Sequence, residues 1–285
     1  MSTVRGRVSP GYLMPFYERN DAVSIHYVDE GAGNPVVFIH GWSLSGAVWA
    51  RQREFFSRRY RCISPDLRGH GDSSAPASGY DVHEMAADVS ALFKSLDLSG
   101  ATLVGWSLGV LVALSAYTEL KERLSGIVLV SGTPKFVASD DYPFGLPEKE
   151  TRGLSLRLKR SPERTFENFD RMMFTGNELS CHGYPAMEKE ILRTIQRPAP
   201  DVALRTLEAL ACADMRTVLS SIRVPVLLIH GDKDSICLPQ ASRYMTSLIS
   251  GASLSLLKDT GHAPFLTRQE EFNRLLANFL DTVYG

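Results

Sequence analysis

The chain has 285 residues, 44% of them hydrophobic and 22% charged, and a formal net charge of −1. That length suits one large domain, or one domain carrying a sizeable insertion. The near-neutral charge excludes attraction of nucleic acid or an anionic membrane through a global field, so a charged partner has to be met by a local patch.

No apolar stretch reaches the roughly 20 residues that span a bilayer. The opening MSTVRGRVSPGYLMPF (1–16) is positively charged but lacks the apolar run of a secretory signal, so the expected location is the cytoplasm. No role is assigned to the first 20 residues. Cys62, Cys181, Cys212 and Cys237 are scattered and form no CxxC pair, which reads as reduced thiols, with no disulfide frame and no zinc site.

AVSIHYVDEG (22–31) alternates and then turns at glycine, as an early antiparallel strand does. VVFIHG (36–41) has no polar face and fits a strand buried on both sides of a parallel sheet. The same pattern recurs at RCISPD (61–66), ATLVGWS (101–107), GIVLVSG (126–132) and VPVLLIHG (224–231), with a further strand expected at SLSLLKD (253–259). Helical patterns lie between them at 47–58, 82–96 and 108–122, and another closes the chain at 268–282. Alternating strand and helix predicts an α/β fold, a mostly parallel central sheet flanked by helices, with its site beyond the carboxyl ends of the strands.

The rhythm breaks between Pro134 and about Ala213, where charged helical segments replace strands. Residues 134–213 are therefore expected to be a helical lid inserted between the core segments 1–133 and 214–285.

Ser107 stands between Gly105 and Gly109, after a buried strand pattern and before an apolar helix pattern. Gly-x-Ser-x-Gly in that context is a nucleophile elbow: a sharp turn presents the hydroxyl, and small residues on either side let strand and helix backbones pass closely. A serine hydroxyl needs a base. In the order serine, acid, histidine, only His262, after the last strand, fits among the seven histidines. The orienting acid should follow the preceding strand, where GDKDSICLP (231–239) offers Asp232 and Asp234. Asp234 is preferred as the residue deeper in the loop, Asp232 reading as a turn residue and Asp259 lying too close to His262. The oxyanion hole needs two backbone N–H groups, one from Leu108 and one from Trp42 or Ser43, with Trp42 preferred. PDLRGHGDSS (65–74) reads as a structural loop, and its His70 follows the wrong strand to be the base. No metal or organic cofactor is expected.

VFIHGW (37–42), DLRGHGDSS (66–74), GWSLG (105–109), GDKD (231–234) and GHAPF (261–265) together resemble the α/β-hydrolase superfamily over roughly residues 22–285. HGWSLSGAVW (40–49), SGTPKF (131–136), DDYPFGLP (140–147), RTFENFDRMM (164–173), LEALACADMR (207–216) and GHAPFLTRQEEF (261–272) are similar to the carboxylesterases of biotin synthesis that cleave the methyl ester of pimeloyl-acyl-carrier protein. That resemblance implies a monomeric serine esterase with a four-helix lid, the acyl chain lying between lid and core. It implies that Phe169, Asp170, Arg171, Met172 and Met173 line the acyl groove, with Trp42, Leu108 and His262 around the ester. It also implies an acyl-carrier protein docked at Arg164, helped by Arg152, Arg157, Lys159 and Arg160. Asn168 departs from the pattern, standing where the family often has another arginine.

A general small-ester esterase, a lactonase or a carbon–carbon bond hydrolase shares the same triad, since pocket and lid set specificity. Dehalogenases and epoxide hydrolases carry an aspartate where Ser107 stands. A ligand-binding protein on the same fold would have no reason to keep all three catalytic groups.

Overall fold

A computed structural model describes residues 4–9, 12–20, 23–180 and 183–285. Cys181 and His182 fall outside them. Nine strands form one sheet: β1 (Val4–Ser9), β2 (Tyr12–Asn20), β3 (Val23–Glu30), β4 (Pro35–Ile39), β5 (Arg61–Pro65), β6 (Ala101–Trp106), β7 (Leu124–Val130), β8 (Val226–Gly231) and β9 (Ser253–Leu257). Their order is β1-β2-β3-β5-β4-β6-β7-β8-β9. From β5 to β9 all pairs are parallel, while β3 meets β5 antiparallel. The apolar runs sit where burial on both faces requires them, and every residue of β6 and β8 is buried.

The helices of the chain are α1 (Ala50–Phe56), α2 (Val82–Ser95), α3 (Leu108–Leu120), α4 (Glu148–Arg160), α5 (Pro162–Met172), α6 (Gly176–Leu179), α7 (Tyr184–Met187), α8 (Pro200–Cys212), α9 (Arg216–Leu219), α10 (Pro239–Leu248), α11 (Pro264–Thr267) and α12 (Gln269–Tyr284). Between β7 and β8 the described chain runs through turns and isolated bridges, such as Lys135 with Asp214, up to Pro147, and then through α4 to α9. Several elements escaped the sequence reading: the β1–β2 hairpin in the opening stretch that had no assigned role, the short α9 and α11, and α10 after the Asp234 loop. None of the described helices is long and apolar enough to cross a membrane.

The 66–74 loop is a polar joint. Asp66 accepts from Gly46 N at 2.7 Å, Asp72 N at 3.0 Å and His26 Nδ1 at 2.7 Å, tying three segments to one carboxylate. Asp72 completes a cluster of donor atoms within 4.8 Å of one another, but those bonds already commit the Asp66 oxygens. Arg68 grips Asp88 of α2 through Nε at 2.6 Å and Nη2 at 2.7 Å, both side chains buried. Arg19 of β2 reaches the same Asp88 at 2.8 Å and Glu84 at 2.9 Å, so the hairpin is fastened to the core through a shared acid.

Removing Arg68 takes two charge-assisted bonds from the buried Asp88 carboxylate and leaves it with Arg19. Arg68→Ala is expected to cost about 2–3 kcal/mol of unfolding free energy in urea denaturation. A loss below about 1 kcal/mol, the range of surface pairs, would contradict this role.

Candidate active site

β4, β6, β8 and β9 end on one edge of the sheet, and the loops that leave them carry the predicted groups. Ser107 directly follows β6 and caps α3 with φ 57° and ψ −116°, a left-handed backbone that a non-glycine residue adopts only under local constraint. The crossing of strand and helix enforces it. A Cβ on Gly105 would lie 2.3 Å from Gly109 O, and one on Gly109 would lie 2.5 Å from Ile39 O. Ser107 N donates to Val130 O at 3.0 Å, pinning the turn to the neighbouring strand end.

His262 and Asp234 meet as the sequence order predicts. Nδ1 of His262 lies 2.7 Å from Oδ2 of Asp234, with both side chains buried. Oδ1 of the same carboxylate accepts from Ile236 N at 2.9 Å and Cys237 N at 3.1 Å, and His230 Nε2 lies 2.9 Å from Oδ2. Burial alone would raise the pKa of Asp234, but His262, His230 and these bonds hold it well below the usual carboxylate range. The acid is therefore ionised at neutral pH and fixes the proton of His262 on Nδ1. Nε2 of His262 is buried and has no hydrogen-bond partner among the described residues, so it is the nitrogen open to a proton. Asp259 is exposed, and Asp232 lies at the β8 turn, its N–H bonded to Leu257 O.

Two contacts tie the Ser107 turn to this pair. The Ser107 side chain neighbours Cys237, whose amide donates to Asp234. Next to it, Trp106 donates its indole N–H to His262 O at 2.8 Å. Burial pushes the Cys237 thiol well up, so it is a neutral neighbour with no nucleophilic character at neutral pH. His70, by contrast, stands beside His40 with ring centroids 5.2 Å apart, and burial drives its pKa down to about 3.

Trp42 and Ser43 follow β4, both buried, and Leu108 opens α3. The Trp42 indole donates to Ala203 O of α8 at 3.0 Å, and its ring meets Phe169 edge-on at 4.8 Å. Ser43 has φ 61°, and Arg197 donates to its carbonyl at 3.2 Å. Arg197, which no sequence signal marked, also pairs with Asp170.

The five-residue run 169–173 does not share one face, because consecutive helical residues point about 100° apart. Phe169 and Met173 are buried, against Trp42 and over His262 respectively, with Met173 O accepting His262 N at 2.7 Å. Asp170 turns to Arg197, while Met172 and Arg171 are exposed. Arg171 lines a cleft of about 600 Å³ with Arg160, Arg164 and Asn168 and another of about 480 Å³ with Phe166, Asp170 and Arg197. Arg152, Arg157, Lys159, Arg160 and Arg164 are all exposed. Arg152 is paired with Glu148 at 2.7 Å, and the other four make no ion pair among the described residues.

A family model for the alpha/beta hydrolase fold matches residues 34–269. A pimeloyl-[acyl-carrier protein] methyl ester esterase of Nitrosomonas europaea is 34% identical over 252 residues, 87% of this chain and 96% of that protein. A putative non-heme chloroperoxidase of Synechocystis is 33% identical over 277 residues, 94% of this chain and 99% of that one. Among solved structures, an esterase from Exiguobacterium antarcticum superposes with a TM-score of 0.88 at 29% identity, covering 93% of this chain and 98% of that one.

At pH 8, iodoacetamide is expected to modify exposed Cys212 and to spare Cys62 and Cys237 until the protein is unfolded, since the thiolate is the reacting form and burial suppresses it. Peptide mapping reads the outcome. Rapid native modification of Cys237 would contradict a neutral thiol packed beside Ser107.

Proposed function

Because the chain belongs to the alpha/beta hydrolase fold family and is a carboxylic ester hydrolase, we propose that Ser107, His262 and Asp234 are its catalytic triad and that its substrate is the methyl ester of an acyl-carrier-protein-bound pimeloyl chain. The observation that carries the catalytic part is the buried 2.7 Å contact between His262 and Asp234, which leaves Nε2 without a hydrogen-bond partner among the described residues, while Ser107 sits on its own strained turn.

The cycle follows from these groups. His262 Nε2 takes the Ser107 proton as Oγ attacks the ester carbonyl. Asp234 holds the tautomer and stabilises the imidazolium. The amides of Trp42 and Leu108 receive the oxyanion, the latter at the N-terminal end of α3, where the helix dipole adds to the field. The tetrahedral intermediate collapses, and methanol departs with the proton from His262. Water then enters, gives its proton to His262 and releases the free acid and Ser107. This sequence needs neither metal nor organic cofactor, because proton transfer and charge stabilisation are all supplied by the protein.

For the substrate, the support is the likeness to the Nitrosomonas protein and the outer face of α4 and α5. There Arg157, Lys159, Arg160 and Arg164 are exposed and make no ion pair among the described residues, and the same two helices expose the apolar Leu156 and Met172, 55% and 50% exposed. Such a face suits an acidic protein partner. In this reading residues 134–213 are a lid over the core segments 1–133 and 214–285. Phe169 and Met173 line the acyl groove with Trp42, and the enzyme works as a cytoplasmic monomer.

Ser107→Ala should abolish turnover with the circular dichroism unchanged, and Asp234→Asn should lower kcat by about 10⁴-fold. Retained turnover in Ser107→Ala would overturn the triad. For the substrate, kcat/KM is compared between methyl pimeloyl-carrier protein and dimethyl pimelate. A strong preference for the carrier-bound ester, reduced about tenfold by Arg164→Glu while the free ester is unaffected, is expected. Equal or better turnover of the free ester would remove the carrier protein and leave a general carboxylesterase.

A further inference from the structure

Thr175 and Glu178 form a capping box at the start of α6: Thr175 Oγ1 accepts from Glu178 N at 3.2 Å, and Thr175 N donates to Glu178 Oε2 at 2.8 Å. A cap of this kind normally lies at the surface. Here the Glu178 residue is only 7% exposed, and its carboxylate does more than cap. Oε2 also accepts Gly261 N at 2.9 Å, and Oε1 accepts the Thr267 hydroxyl. Those two partners belong to the other side of the molecule and bracket His262, one just before it and one in α11 just after it.

A buried carboxylate is costly unless its lone pairs are filled, and three donors fill them here. The fit is close. A Cβ on Gly261 would come 3.0 Å from Glu178 Oε2 and 2.4 Å from Met173 O, so the glycine is what lets the 173–178 segment reach the histidine loop. The backbone of His262 itself is held by Met173 O on its N–H and by the Trp106 indole on its carbonyl. Among the described residues its ring has one hydrogen-bonded anchor, Asp234, and packs beside Trp106 with centroids 5.4 Å apart, while Nε2 has no partner. The ring's aim at Ser107 therefore depends on where the backbone of 261–267 is set.

We propose that Glu178 is a positioning residue for His262: its carboxylate, carried by the helical segment between β7 and β8, clamps the chain on both sides of the base and fixes the angle at which Nε2 faces Ser107. The inference rests on the assignment of His262 as the base. It also makes the segment over the site part of the catalytic frame. With Met173 and Glu178 lifted away, His262 would lose the bonds at its own N–H, at Gly261 and at Thr267, so the base is aligned only when that segment is seated.

The test uses the full chain and a p-nitrophenyl ester, with kcat, KM and Tm measured for Glu178→Gln, Glu178→Ala and Thr267→Val beside Ser107→Ala. Misaligning a catalytic group without touching substrate contacts lowers kcat alone. Glu178→Gln, which keeps an oxygen for Gly261 N, is expected to lose about tenfold in kcat with KM within about twofold, and Glu178→Ala about a hundredfold. Thr267→Val leaves the Gly261 bond in place and should lose about threefold at unchanged KM. It carries the test if the Glu178 variants do not fold. Wild-type kcat in folded Glu178→Gln or in Thr267→Val, or losses in kcat matched by rising KM and falling Tm, would overturn the clamp. Turnover retained in Ser107→Ala would instead bring down the triad, an outcome distinct from failure of the clamp alone.

Discussion

The backbones of β6 and α3 cross with no space for a side chain between them. A methyl group at Gly105 would sit 2.3 Å from Gly109 O, and one at Gly109 would strike Ile39 O at 2.5 Å, so three segments of backbone meet at one point. The chain passes through that point only by turning sharply, and the residue at the turn takes φ 57°. The strain at Ser107 is thus imposed by packing, and it is held by a sheet whose central strands are fully buried. The turn sets Ser107 at the end of β6, starts α3 at Leu108, and brings Gly41 of the β4 loop alongside, where a Cβ on Gly41 would lie 3.2 Å from Ser107 Cβ.

Around this turn the polar groups are arranged so that each buried charge has partners. Asp234 is satisfied by two amides and two imidazoles, which keeps it ionised in a dry setting where an isolated carboxylate would protonate. The same loop delivers Cys237 against Ser107, an apolar-like neighbour that excludes water without competing for the proton. The 66–74 loop shows the same economy at a distance from the chemistry. Asp66 and Arg68 spend their hydrogen bonds on joining β3, the β4 loop and α2, and the neutral His70 packs against His40.

Strand runs without a polar face and the Gly-x-Ser-x-Gly spacing made the parallel sheet and Ser107 legible in the sequence, because both are local consequences of burial. The order serine, acid, histidine singled out His262, because connectivity along the strand edge is itself ordered, and Asp234 was preferred over Asp232 as the residue deeper in the loop after β8. The β1–β2 hairpin was not legible: its attachment runs through Arg19 to Asp88, a contact across 69 residues. Glu178 and Arg197 were missed for the same reason. Glu178 caps α6 locally, but nothing local says that the cap's carboxylate also takes Gly261 N across 83 residues. The 169–173 run was assigned to one groove through a resemblance, whereas the helical period divides it between the buried Phe169 and Met173 and the exposed Arg171 and Met172.

The helical segment between β7 and β8 touches both halves of the site: Ala203 and Arg197 hold the loop after β4, and Met173 and Glu178 hold the loop after β9. Its inner side meets the loops after β4 and β9, while the exposed basic side chains of α4 and α5 lie away from them. All of this turns on Ser107 being the activated nucleophile. Reaction with a fluorophosphonate followed by peptide mapping tests that directly. Adduct at Ser107, absent in His262→Ala, is the predicted result. No adduct, or an adduct at another residue with Ser107 unmodified, would contradict the account.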